Sequence, residues 1–214
     1  MPARSGVRLC HEGTGGQLHA EKKSPEPSDT AALAQVVGDW LAENEGVEVE
    51  YVRAVDLDIH PGVVSEAVAA GDDWPAVHAK LLQAQILVVA SPTWLGRPSS
   101  VAQRVLERMD AMLSETDDED RPVAYNRVAG VVVTGNEDGA HHLISEINGA
   151  LCDIGSTIPG QSWTYWHLGP GPGPDYLDDG RGHDWAHKTG RAMAANLYGT
   201  ARALAASPLG APPQ

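Results

Sequence analysis

Apolar residues fall along this chain in two alternating rhythms. Leu33, Val36, Val37, Trp40 and Leu41 recur at helical spacing within 31–44, and Gly46 closes that stretch. Residues 47–55 then read Val-Glu-Val-Glu-Tyr-Val at their start, the period of a strand near a sheet edge. Residues 85–90 and 127–134 are instead continuous apolar runs, as expected of strands covered on both faces. Between and after them the helical spacing returns. It predicts a short helix over 72–83 with Asp72 or Asp73 as cap, and a long one over 99–114 with Val101, Val105, Met109 and Met112 on one stripe. Further helices are predicted over 137–154, with Leu143, Ile147 and Leu151 inward, and over 183–206; a shorter strand spans 157–165. Strand–helix alternation with apolar middle strands implies a parallel sheet with helices on both faces and right-handed crossovers. Ligands of such sheets bind beyond the carboxyl ends of the strands. The chemistry is therefore expected in three loops: 24–30, 91–99 and 134–141.

The first loop, KSPEPSDT, leads into a helix. Backbone N–H groups at a helix N-terminus, with the hydroxyls of Ser24, Ser28 and Thr30, make a phosphate cradle; simple capping by Ser28 or Asp29 is the plainer alternative. Neither GxxxxGK[ST] nor GxGxxG occurs. The second loop belongs to ILVVASPTWLGRPSS, where an apolar strand runs into Ser91-Pro92-Thr93-Trp94-Leu95-Gly96. Trp94 can lie against a planar ring and Gly96 lets backbone come close, although a tryptophan packed under a turn would read the same way. The third loop places Thr134, Gly135, Asn136, Asp138, Gly139 and His141 directly after an apolar strand. Its amides suit the polar edge of a heterocycle, or serve only a strand-to-helix turn capped by Asn136 or Asp138.

Composition narrows the partners. A formal charge of −14 disfavours nucleic acid and anionic membrane surfaces. No run of 18 apolar residues exists, and the first residues lack the apolar core of a secretory signal. The two cysteines, Cys10 and Cys152, show no zinc spacing, so a reducing cytoplasm is the expected setting. His183 and His187 share a helix face, but no third metal ligand is evident, and no metal site is expected. Residues 1–16 read as a disordered or atypical N-terminal segment, 17–206 as one domain and 207–214 as a flexible tail.

The order SPEPSDT, ILVVASPTWLGRPSS, VAGVVVTGNEDGAHH resembles the flavodoxin-like family, in particular its NAD(P)H-dependent FMN reductase branch, over about residues 20–205. The resemblance implies a five-stranded parallel sheet of order 2-1-3-4-5 with FMN at its carboxyl edge. It implies Ser24, Ser28, Asp29 and Thr30 around the FMN phosphate and Ser91 with Pro92 to Gly96 beside the isoalloxazine, Trp94 nearest the ring. It implies Thr134 and Gly135 to Gly139, Asn136 and Asp138 among them, at the flavin's other side, with His141 close by. The implied activity is hydride uptake from NAD(P)H and delivery to a quinone, free flavin or similar small acceptor, in a homo-oligomer. No side-chain acid or base is needed, so no catalytic residue is named.

The first strand departs from this pattern, since 17–23 (QLHAEKK) holds two apolar residues in seven where a central strand needs a continuous run. Three alternatives stand: Leu18 and Ala20 suffice; the strand is 7–10 with a long insertion after it; or residues 1 to about 21 are foreign sequence. Two other functions compete with the reductase. One is a flavodoxin-like electron carrier for a basic partner, and the other is a binding protein that has lost the flavin.

Overall fold

A computed structural model describes residues 5–11, as backbone, together with 27–169 and 173–213. Five parallel strands form the sheet: β1 (Ser5–His11), β2 (Val47–Arg53), β3 (Ile86–Trp94), β5 (Val128–Gly135) and β6 (Trp163–His167). Their order is β2-β1-β3-β5-β6, the expected 2-1-3-4-5 once the two-residue arm β4 (Arg97–Pro98) is set aside. β4 folds back antiparallel on the end of β3, pairing Thr93 with Pro98 and Trp94 with Arg97.

The continuous runs behave as their pattern demands. β3 is buried from Ile86 through Thr93 and β5 from Val128 through Thr134, because helices cover both faces. On one face α1 (Asp29–Ala42) and α5 (His183–Ala206) bury Leu33, Val37, Leu41, Met193 and Leu197 against Ile86, Val88, Val128 and Val132. On the other, α2 (Trp74–Gln83), α3 (Ser100–Met109) and α4 (Ala140–Asp153) pack Val77, Val105, Leu143 and Ile147 against Leu87, Val89, Val131 and Val133. β6 alternates half-buried and buried positions, as befits an edge.

Three expectations need correction. The segment read as disordered or atypical, 1–16, contains the central strand: β1 pairs Ser5 to His11 with Val47 to Arg53 on one side and Val7 to His11 with Ile86 to Ala90 on the other. Of the three alternatives, the strand near 7–10 is therefore the one adopted. The residues 17–23 weighed as the first strand lie outside the described residues. The last strand starts at Trp163 rather than 157, with only a bridge between Thr157 and Val128 before it. Pro159 cannot donate to a ladder, and Gln161 turns the chain at a φ of 53° before pairing resumes. The long helix expected over 99–114 tightens into a 3-10 turn at Asp110–Leu113.

Candidate functional site

Helix α1 opens at the carboxyl edge of the sheet with Ser28 as its cap, whose Oγ accepts the Ala31 N–H at 3.1 Å. One residue later, the Asp29 carboxylate accepts the Leu177 N–H at 2.8 Å. Thr30 Oγ1 shares a 2.6 Å hydrogen bond with Thr134 Oγ1, which fixes the start of α1 to the end of β5. Ser24 lies outside the described residues.

The hairpin after β3 is held from below. Ser91 Oγ, fully buried, donates to the Pro92 carbonyl at 2.9 Å and accepts the Ser99 N–H at 3.1 Å. Leu95 and Gly96 turn the chain with φ of 51° and 71°. Gly139, with φ 111°, lies so close that a Cβ there would stand 2.7 Å from Gly96 Cα. A Cβ on Gly135 would stand 2.8 Å from that of Thr93. Glycine at these two positions is what lets the second and third loops touch. Glu137 Oε1 accepts the Leu95 N–H at 2.6 Å and fastens the hairpin tip.

A cleft opens where these loops meet. Asp29 and Thr30, Pro92 to Trp94, and Thr134 to Asn136 line it, together with Trp166 of β6 and Asp175 and Tyr176 of the following loop. Trp94 stands at the rim, 46% exposed. Thr93 Oγ1 is buried and has no partner among the described residues. The amides of Asn136, Glu137 and Asp138 likewise meet no acceptor among the described residues.

The loop 173–182 straps one end of the cleft. Asn136 Nδ2 donates to Asp175 Oδ1 at 3.2 Å. The Tyr176 ring stacks on His183 with centroids 4.0 Å apart, and His183 Nε2 donates to the Tyr176 carbonyl at 2.8 Å. Burial, aided by Asp29, raises the Tyr176 phenol above its ordinary pKa; burial and the neighbouring His183 lower that of His187. Both are therefore neutral near pH 7, and the phenol oxygen and His187 Nε2 share a 2.6 Å hydrogen bond. These contacts occupy Nε2 of both histidines weighed as a metal pair. Burial also raises the Asp29 carboxyl above its ordinary value; the Leu177 N–H opposes this, while the charges of Asp175 and Asp178 add to it.

Several positions implied by the resemblance sit elsewhere. His141 is outside the cleft, its ring packed edge-on against Trp163 and Tyr165 at 5.2 and 5.0 Å, because α4 begins at Ala140 and turns it toward β6. Leu95 projects into solvent at 93% exposure, and its amide is taken by Glu137. Ser91 braces the hairpin and does not line the cleft, nor do Gly96, Asp138 and Gly139. Conversely, Asp175 and Tyr176 were hidden in GPGPGPDYLDDG, which reads as an irregular surface loop. An aromatic residue inside a Gly/Pro loop was the available signal, since such loops rarely need one.

An open parallel sheet of this order, with a cleft at its carboxyl edge between successive strand-to-helix loops, defines a flavodoxin-like α/β protein. Residues 23–167 match the family model described as NADPH-dependent FMN reductase, and the chain belongs to that family. It is 36% identical over 198 residues to an 8-demethyl-8-aminoriboflavin-5'-phosphate synthase of Streptomyces davaonensis, covering 87% of this chain and 76% of that one. It superposes with a TM-score of 0.81 on the crystal structure of RosB with the bound intermediate 8-demethyl-8-formylriboflavin-5'-phosphate, at 32% identity over 95% of this chain and 81% of that one. A divalent metal cation transporter, MntH, of Mycobacterium bovis is 40% identical over 191 residues; these are 86% of this chain but 28% of that protein. Among the described residues, no helix is long and apolar enough to cross a membrane.

FMN is thus the cofactor, and the chain is a flavin-dependent enzyme of oxidoreductase type. The cleft fits the group. Thr93 Oγ1 and the amides after β5 suit the polar edge of an isoalloxazine, and Trp94, Trp166 and Tyr176 suit its flat apolar body.

Proposed function

We propose that this chain binds FMN in the cleft, accepts hydride from NAD(P)H and passes electrons to a small acceptor such as a quinone or free flavin. The observation that carries this reading is the convergence of the β3 hairpin, the β5 loop and the strap on one cleft at the carboxyl edge. When bound, FMN supplies the hydride chemistry. The protein supplies orientation and exclusion of water. Pro92 to Trp94 flank the ring, with Trp94 at the open rim where a second planar molecule can approach. Thr93 Oγ1 and the Asn136 amide would donate to its polar edge, while Thr30 and the first turn of α1 would lie toward the ribityl phosphate. Trp166 and Tyr176, both buried, keep water from the closed end.

Anaerobic addition of NADPH to the FMN-loaded protein tests the reading. Rapid loss of the visible flavin absorbance, restored by a quinone, is expected; an unchanged spectrum with both NADH and NADPH would refute it. A second reading has support in the synthase relative, whose name makes a flavin phosphate its product. On that reading the flavin leaves the cleft chemically altered. Mass spectrometry of flavin recovered after aerobic incubation separates the two, because a reductase returns FMN unchanged.

Two variants test the placement. Trp94→Ala is expected to weaken FMN binding about tenfold, the order of one aromatic stacking contact, with an unchanged far-UV circular dichroism spectrum. Asp29→Asn is expected to tighten it about threefold at low ionic strength by removing a charge near the phosphate, with less effect in salt. The raised carboxyl of Asp29 gives the sign of the pH dependence: it gains a proton as pH falls, so wild-type affinity should climb toward that of the variant. Fluorescence titrations of FMN from neutral to mildly acid pH check both.

A further inference from the structure

The mouth of the cleft is acidic, and so is the molecule around it. Asp29 and Asp175 line the cleft, and no lysine or arginine does so among the described residues. The Glu137 carboxylate sits at the hairpin tip, on a chain of net charge −14. A nicotinamide dinucleotide carries a doubly charged pyrophosphate, so most approaches to this surface repel it. A guanidinium stands in position to offset that repulsion.

Arg97 is set beside Trp94 by the hairpin itself. Leu95 and Gly96 both have positive φ, 51° and 71°, as the central residues of a type I′ turn do. Trp94 and Arg97 are therefore paired directly across β3 and β4. Residues directly opposed in an antiparallel pair carry their side chains on one face. Trp94 stands at the rim of the cleft, and Arg97 flanks it there with its side chain 64% exposed. Arg97 Nη1 donates to Glu146 Oε1 of α4 at 2.7 Å, and Glu146 Oε2 lies 3.4 Å from His142 Nε2. An exposed ion pair of this kind is weakly held, so an anion arriving beside Trp94 can take the guanidinium from Glu146. A pyrophosphate presents oxygens that match the two-pronged guanidinium, and Glu146 keeps His142 within reach when Arg97 leaves it.

Given the proposed approach of the hydride donor at Trp94, on which this rests, we infer that Arg97 receives the pyrophosphate of the dinucleotide and that Glu146 parks it at the rim until then. The pyrophosphate is the anionic group nearest the nicotinamide, one ribose away, whereas a 2′-phosphate lies on the far nucleoside. NAD⁺ and NADP⁺ therefore use Arg97 alike. A purely mechanical pair, pinning the hairpin to α4, behaves differently: losing either partner then has the same effect. If Arg97 binds the ligand, the two losses have opposite signs, because Glu146 competes for the guanidinium.

Calorimetric titration of the FMN-loaded protein with NAD⁺ and with NADP⁺, neither of which can donate hydride, reads this without turnover. Arg97→Gln is expected to weaken both about tenfold, the order of one charge-assisted hydrogen bond, and to flatten the salt dependence. Glu146→Gln is expected to tighten both about threefold. In turnover, Arg97→Gln should raise KM for NADPH with kcat unchanged. Unchanged dinucleotide affinities in Arg97→Gln, with NADPH still reducing the wild-type flavin, overturn the role of Arg97 alone. A loss confined to NADP⁺ overturns it too, since the contact is then with the remote phosphate. So does an equal loss in both variants, the mark of a mechanical pin. Wild-type protein that binds neither dinucleotide and is not reduced by NADPH would overturn the proposed function, and the role of Arg97 with it.

Discussion

Gly139→Ala should cost the protein its flavin while leaving its secondary structure intact. The added methyl would stand 2.7 Å from Gly96 Cα and 3.4 Å from the Gly96 carbonyl group, with backbone rather than a flexible side chain in the way. The φ of 111° at Gly139 is itself strained for alanine, by about 1–2 kcal/mol for a left-handed residue. The hairpin tip and the β5 loop must therefore separate. That movement breaks the hydrogen bond between Leu95 and Glu137 and pulls Pro92 to Trp94 away from the amides they face. Precise loop placement is worth more to affinity than any single contact, so a loss of FMN affinity of about a hundredfold is expected, near 2.7 kcal/mol. Equilibrium dialysis measures it. An affinity within a factor of three of wild type would show that the contact between these two loops does not shape the site.

Arg108→Met should destabilise the fold by about 3–5 kcal/mol, the usual result of stripping one partner from a buried ion pair. Arg108 and Asp72 are both fully buried and 2.8 Å apart. The guanidinium also donates to the carbonyls of His60 and Glu66 and lies 5.4 Å over Trp74. Asp72 in turn accepts the N–H groups of His60, Val68 and Trp74. One pair thus ties several points of the irregular connector between β2 and α2 to α3. Burial alone would raise the Asp72 carboxyl; the N–H groups of Val68 and Trp74, the guanidinium and the His60 N–H outweigh it and hold the group far below its ordinary value.

The pH consequence of that pair has a definite sign. A depressed carboxyl contributes stability above its unfolded pKa, about 3.9, and loses it as pH falls toward the folded value. The acid limb of the stability profile should therefore flatten in Arg108→Met, where one of the depressing groups is gone. Urea denaturation at pH 7 and at about pH 3, inside that window, reads both effects. Combining the change with Asp72→Asn should give a loss smaller than the sum of the two single losses, because no unpaired charge remains buried. A single-variant loss under about 1 kcal/mol would mean that apolar contacts alone hold the connector.

How far the sequence reached depends on which forces act locally. Ile86 to Ala90 and Val128 to Val133 announced buried central strands because both faces must be apolar, and they are. Ser28 announced a helix start through capping, which spans only three residues. Pro92 to Trp94 and Thr134 to Asn136 were legible as cleft residues because loops after successive parallel strands must share one edge. By contrast, the helix expected from 137 begins at Ala140, since Gly139 adopts a left-handed turn that spacing does not reveal.

The sequence by itself determined the alternation of strand and helix, the two central strands and the edge where chemistry lies. These follow from periodicity and from the geometry common to all parallel sheets. Only the tertiary structure decided that Ser5–His11 is the central strand, because pairing on both sides, not its own composition, places it there. Only the tertiary structure brought Asp175 and Tyr176 to the cleft, through Asn136, Asp29, His183 and His187, the last two contributed by a helix that follows them in the chain. It likewise turned His141 away from the site and toward Trp163 and Tyr165. Contacts between residues distant in sequence leave no periodic trace, so their outcome is settled only when the elements pack.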